Sequence, residues 1–278
     1  MKKFLQILGV FCILSNLVIL GVWSTFENTF KTQANIPTPD EIQHTHNIAH
    51  ALSAEQRHTV RKSRDSAVRI ISYSASMDGI ASLSGTYFKA FNQHYVLTVM
   101  HGLGNRCEFT KIIVDNKFFN CVQYVTINVM NDYAIIEVEP ITNRIPIKIP
   151  RDLPKNQEWR TDIPILTTIY HTGYPNNMGP LTFDGKIVGY SDENYIYVNS
   201  YAWSGSSGSG VFNDRGKLIG YILALDVGVS EYGVDILEDI VVIVPAHVIG
   251  WTSFFESIMQ SPDLRLLKSL EKYKNEKR

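Results

Sequence analysis

The chain has 278 residues, 45% of them hydrophobic and 19% charged, which excludes general disorder and allows one large or two small domains. Lys and Arg number 26 against 27 Asp and Glu, a net charge of −1, so no nucleic-acid partner bound through bulk charge is expected. Three cysteines are too few for a disulfide-dense secreted module.

Met1, Lys2 and Lys3 form a short positive head. From Phe4 to Trp23 no side chain is charged, and Gln6, Ser15 and Asn16 are the clearly polar ones. About 20 apolar residues at 1.5 Å rise cross a ~30 Å hydrocarbon layer. Residues 1–24 are therefore expected to be a transmembrane signal anchor, touching the membrane through residues 4–23. The lysines favour a cytoplasmic N-terminus, with everything after Trp23 on the extracytoplasmic side. A cleaved signal would have a shorter apolar core and small residues before the cut, and no A-x-A site follows here. Cleavage, if it occurs, makes the protein secreted.

Residues 25–62 read as a polar linker and helix. Asn35 to Pro39 is extended, Thr38 or Asp40 can cap a first helical stretch, and Ser53 with Gln56 offers a capping box. The segment holds His44, His46, His50 and His58, with His46 and His50 at i,i+4. That spacing can hold a metal, but no acid or cysteine completes the set, so an exposed polar helix is the preferred reading and no metal or other cofactor is expected.

Residues 63–250 read as short strands separated by turns. Runs rich in β-branched and aromatic residues occur at Ala67–Tyr73, Gly85–Lys89, Tyr95–Thr98, Lys111–Val114, Phe118–Val122 and Ala134–Val138. They continue at Ile165–Tyr170, Lys186–Tyr190, Tyr195–Asn199, Gly210–Phe212, Lys217–Ala224 and Ile240–Val244. The pattern indicates an all-β barrel or sandwich and not βαβ units. Residues 251–278 change character: apolar residues from Phe254 to Leu270 recur at helical spacing, and six Lys or Arg face three Asp or Glu from Ser261 onward. A basic C-terminal helix packed on the barrel is expected.

Three segments carry chemistry. His101 ends an apolar strand and is followed by Gly102. Asp132 stands at the mouth of the apolar run Ala134–Val138. Ser204-Gly205-Ser206-Ser207-Gly208-Ser209-Gly210 is a tight Gly/Ser turn between strands. Singly, each has an ordinary explanation: a core histidine, a turn acid, a flexible loop. Together they run in the order His, Asp, Ser, separated by 31 and 75 residues, which is the order of one convergent class of hydrolytic triad and differs from the others.

Leu97-Thr98-Val99-Met100-His101 resembles the L-T-A-A-H motif of trypsin-like serine peptidases, Asp132-Tyr133-Ala134-Ile135-Ile136 resembles D-I-A-L-L, and Gly205-Ser206-Ser207-Gly208-Ser209 resembles G-D/N-S-G-G. Gly173-Tyr174-Pro175 and Ile243-Val244-Pro245 resemble the bacterial HtrA-like branch, without the PDZ domain that branch carries. The resemblance covers about residues 60–250. It implies two six-stranded antiparallel β-barrels of the chymotrypsin type, one carrying His101 and Asp132 and the other Ser207. It implies a serine endopeptidase acting on protein or peptide substrates through an acyl-enzyme. Its site would comprise His101 as base, Asp132 as the group orienting it, Ser207 as nucleophile, and the backbone N–H groups of Gly205 and Ser207 as the oxyanion hole. Tyr201, Ala202, Ile222 and Leu223 would border the substrate pocket. No acid is placed there to hold Arg or Lys, so a small or apolar P1 residue is expected unless Asp226 folds back. Ser206 replaces the Asp that in digestive relatives pairs with a newly cut N-terminus, so activation by that route is not expected. The alternatives are a catalytically silent barrel serving as a scaffold, and an assembly protein that cleaves itself.

Cys107 and Cys121 can pair on the far side of a membrane. Symmetry about the turn at Asp115–Lys117 puts Cys107 opposite Tyr124, three residues off, and leaves the bridge an open question.

Overall fold

The computed structural model describes residues 52–74, 79–149, 159–230 and 233–260. The expected anchor (residues 1–24), most of the linker, and residues 261–278 lie outside them. No helix among the described residues is long and apolar enough to cross a membrane.

The capping box forms as expected. Ser53 Oγ accepts Gln56 N–H at 3.1 Å and Gln56 Oε1 accepts Ser53 N–H at 2.8 Å. The helix it opens, α1 (Ala54–Ser66), continues beyond residue 62, where the linker was expected to end, and passes directly into β1 (Ala67–Ser74). Its buried face consists of Thr59, Ser63 and Ser66, so it docks by hydrogen bonds rather than an apolar stripe. Thr59 Oγ1 donates to Asp214 O at 3.0 Å, Lys62 Nζ to Gly216 O at 2.6 Å, and Ser63 Oγ to Thr172 Oγ1 at 2.8 Å.

β1, β2 (Gly79–Ala90), β3 (Gln93–Val99), β4 (Thr110–Val114), β5 (Lys117–Asn128) and β6 (Tyr133–Val138) close a first barrel in the order β1-β2-β3-β6-β5-β4. A single helical turn, α2 (Trp159–Asp162), leads to the second barrel. Its strands β7 (Thr168–Gly173), β8 (Leu181–Tyr190), β9 (Ile196–Asn199), β10 (Gly210–Asn213), β11 (Leu218–Ser230) and β12 (Gly233–Pro245) close in the order β10-β11-β12-β9-β8-β7. All neighbouring pairs are antiparallel, so the two six-stranded barrels are as expected. The β11–β12 hairpin is longer than the sequence suggested, because Asp226 and Gly228 interrupt the apolar run while the backbone ladder continues from Asp226↔Leu237 to Ser230↔Gly233.

Each barrel has its own core. Val68, Ile70, Val96, Leu97, Ile112 and Ile135 belong to the first, and Trp159, Ile169, Ile187, Val198, Val211 and Ile243 to the second. On β2 every residue from Leu83 to Phe88 is buried, because one face looks into the first barrel and the other against neighbouring structure. The second face carries Ser84 and Thr86, and these polar residues meet the Gly/Ser turn.

The C-terminal helix, expected over residues 251–278, is described as α3 (Trp251–Gln260). Trp251, Phe254 and Ile258 are buried. Phe254 packs edge-on against Phe88 and Tyr95, with ring centroids at 5.7 and 5.1 Å, which binds the helix to the first barrel.

Cys107 and Cys121 are bridged, with Cα atoms 5.4 Å apart. Hairpin symmetry misses the bridge because Cys107 lies in a 3₁₀ turn (Cys107–Phe109) that diverts the chain before β4.

Candidate active site

Strand register brings His101 to Asp132. β3 pairs with β6 so that Val99 faces Tyr133, and just beyond the ladder Met100 N–H donates to Asp132 O at 3.1 Å. Both carboxylate oxygens of Asp132 are engaged: Oδ1 accepts the His101 backbone N–H at 2.8 Å, and Oδ2 lies 2.5 Å from His101 Nδ1. Asp132 adopts φ +47°, a left-handed conformation that Asp tolerates better than most residues. The side chains are 46% and 21% exposed, so the imidazole faces the surface with Nε2 free of this contact while the acid sits behind it.

The turn is also tied to the second barrel. Tyr221, on β11, donates its hydroxyl to Asn131 O at 2.5 Å. Burial pushes the Tyr221 phenol well above its ordinary pKa, so it remains a donor. The sequence reading missed Tyr221, because its partner is 90 residues away.

Ser207 lies on the turn before β10 and is partly exposed. Gly205 and Gly208 have φ of +95° and +90°, where any other residue would be strained. A Cβ on Gly205 would also stand 2.7 Å from Tyr174 O. The N–H groups of Ser206, Gly208 and Ser209 donate to Trp203 O, Ile222 O and Ser206 O at 2.8, 2.8 and 3.0 Å. Those of Gly205 and Ser207 donate to no acceptor among the described residues. These two amides, two residues apart on one turn, are available to an anion. Among the described residues no hydrogen bond joins Ser207 Oγ to His101; the two loops are linked through Ser84, whose N–H donates to Ser207 O at 2.9 Å.

The expected pocket residues divide. Ala202 and Ile222 are 2% and 1% exposed and belong to the second core. Ile222 meets the Ser207 turn through its backbone, accepting from Gly208 N–H and donating to Ser209 O at 2.9 Å. Leu223 is half-buried, and the Asp226 side chain lies outside the described residues. Tyr201 is 57% exposed and stacks on Trp203. It lines an open groove of about 490 Å³ with Gln56, Tyr170, Asp184, Lys186 and Asn199, none of which belongs to the Ser207 turn. Of the four linker histidines, only His58 falls among the described residues, exposed on α1.

His171, on β7, also escaped the sequence reading. It is 1% exposed, with its ring tilted against that of Phe183 at 5.4 Å between centroids. Ser200 Oγ gives its proton to Asp184 O at 2.9 Å, so it accepts from His171 Nε2–H at 3.1 Å, and Nδ1 has no partner among the described residues. Burial lowers the His171 pKa to about 4, and the ring is neutral at pH 7.

Two closed six-stranded barrels, with a His–Asp pair on one and a Gly/Ser turn entering the other, define a chymotrypsin-type fold. Residues 83–220 match the trypsin-like peptidase domain family. Among solved structures it is similar to the serine endoprotease from Yersinia pestis, at 18% identity and a TM-score of 0.56, over 75% of this chain and 68% of that one. It is also similar to a protease of M. tuberculosis in its active form, at 15% identity and a TM-score of 0.53, over 69% and 81%. No curated protein matches the chain.

Proposed function

We propose that the chain is a membrane-anchored serine endopeptidase with His101, Asp132 and Ser207 as its triad. The observation that carries this reading is the engagement of His101 by both oxygens of Asp132, together with the acceptor-free amides of Gly205 and Ser207. A serine hydroxyl is a weak nucleophile at neutral pH and needs a base. Asp132 on Nδ1 holds the tautomer that leaves the Nε2 lone pair for that task. Ser207 Oγ attacks the scissile carbonyl carbon and its proton passes to His101 Nε2. The oxyanion forms against the N–H groups of Gly205 and Ser207. The C–N bond then breaks, His101 returns the proton to the leaving amine, and water resolves the acyl-enzyme by the same route. One oxyanion donor is typically worth ~3 kcal/mol in the transition state.

The anchor at residues 4–23 would hold this domain on the extracytoplasmic side. The Cys107–Cys121 bridge supports that location, since disulfides persist in oxidising compartments. The substrate is protein or peptide, with a small or apolar P1 side chain. A second reading, a silent or self-cleaving barrel used in assembly, draws on the missing hydrogen bond between Ser207 and His101, although such bonds often tighten only with substrate.

The test is fluorophosphonate labelling of the full-length chain in mild detergent, beside Ser207→Ala and His101→Ala. Labelling of the parent that is lost in both variants is the expected result. A folded parent that does not label moves the silent reading ahead.

A further inference from the structure

The Ser207 turn carries no charged anchor, because Ser206 stands where an acid would pair with a free amine. The carbonyls from Ser204 to Ser207 are nevertheless each held. Ser204 O accepts from Asn176 N–H at 2.6 Å, and Ser206 O accepts from Ser209 N–H at 3.0 Å and Ser209 Oγ–H at 2.7 Å. Gly205 O accepts from Ser84 Oγ–H at 2.7 Å, and Ser207 O from Ser84 N–H at 2.9 Å.

In a trans peptide the carbonyl and the next residue's N–H point to opposite sides, and no cis peptide is present among the described residues. Holding Ser204 O and Ser206 O therefore aims the N–H groups of Gly205 and Ser207 away from the protein, towards the position of an oxyanion. Holding Gly205 O and Ser207 O aims the alternate N–H groups inward, at Trp203 O and Ile222 O.

Two hydroxyls do much of this. Ser84 and Ser209 are both 0% exposed. Ser84 Oγ uses donor and acceptor together, taking Tyr174 N–H at 2.8 Å while giving its proton to Gly205 O. Gly173 leaves them room: a Cβ there would lie 2.2 Å from Ser209 Oγ and 2.9 Å from Ser84 Oγ. The same Ser84 accepts at its carbonyl from Thr98 Oγ1 at 2.7 Å, three residues before His101.

We propose that Ser84 and Ser209 are positioning residues that keep the Gly205 and Ser207 amides aimed at the oxyanion by hydrogen-bonding the carbonyls between them, so that the site is assembled without an N-terminal ion pair. The proposal rests on the triad reading above. In the full-length chain, Ser84→Ala and Ser209→Ala each slow fluorophosphonate labelling roughly 10- to 100-fold, somewhat less than outright loss of an oxyanion donor. The pH at half-maximal rate stays where it is in the parent, because His101 is untouched. Ser84→Cys, which keeps a weak donor, recovers part of the rate. Crystal structures show the Gly205–Ser206 peptide in Ser84→Ala, and the Ser206–Ser207 peptide in Ser209→Ala, turned or in two orientations.

Unchanged rates with unchanged peptides overturn the proposal, as does a moved half-maximal pH, which would mean that Ser84 acts through His101. A parent that fails to label defeats the triad reading instead, and peptide orientation in the variants then decides the positioning role by itself. Should Ser84→Ala not fold, Ser209→Ala and Ser209→Gly carry the same test.

Discussion

The two halves of the site are built in opposite ways. His101 and Asp132 sit at the rim of the first barrel, 46% and 21% exposed, joined by a charge-capable contact and backed by the Cys107–Cys121 bridge in the same barrel. The Ser207 turn leads into β10 of the second barrel and is held by uncharged hydrogen bonds from Ser84, on β2 of the first barrel, and from its own Ser209; the second barrel also buries a neutral His171. On the proposed roles the difference has a reason: a base that must exchange protons with solvent belongs where a charge is cheap, and an oxyanion hole, which must hold dipoles still before charge develops, belongs where hydrogen bonds are buried and worth more.

The largest separation of the two halves comes from Asp132→Asn. It removes the group that orients His101 and leaves the Ser207 turn intact. Labelling by a fluorophosphonate falls on the order of 10⁴-fold, as expected where the tautomer is lost, while the melting temperature changes little because an amide side chain keeps an oxygen to accept the His101 backbone N–H.

Paired Cys107→Ser and Cys121→Ser changes act on the first barrel. The bridge spans a sequence separation of 14, for which loop-closure entropy gives a stabilisation of about 3 kcal/mol. Denaturant titration of oxidised and variant protein measures it. A loss near zero would mean that β4 and β5 hold the His101 loop without help.

Acid distinguishes the second barrel. The His171 pKa is lowered to about 4 in the folded protein, while the unfolded chain takes up that proton near pH 6.5. Stability from this group is therefore present above pH 6.5 and falls as pH drops towards 4, by up to about 3 kcal/mol below both values. Urea titrations at pH 7 and pH 4.5 show the fall, and His171→Leu removes its contribution from the slope. An equal slope in the variant would assign the acid sensitivity to carboxylates elsewhere.

Local signals in the sequence found much of this protein. The capping box at Ser53, the alternation in the short strands, and the His101, Asp132 and Gly205–Gly210 segments all depend on residues within one turn or one strand, where neighbour chemistry decides conformation. The barrel fold and the grouping of the three segments came from their order and resemblance. The ends of elements were less legible: α1 runs on because its buried face is polar and carries no apolar period, and the β11–β12 hairpin runs on because backbone pairing tolerates Asp226 and Gly228.

Residue types alone thus pointed to the groups proposed as base, acid partner, nucleophile and oxyanion donor, since those roles follow from covalent chemistry and from the φ freedom of Gly205 and Gly208. Only the tertiary structure decided what aims them. Ser84 meets Gly205 across 121 positions, Tyr174 across 90, and Tyr221 meets Asn131 across 90. A lone serine or tyrosine in a strand has no local mark of such a partner. The pairing appears when barrel closure brings distant strands within the 3 Å reach of a hydrogen bond.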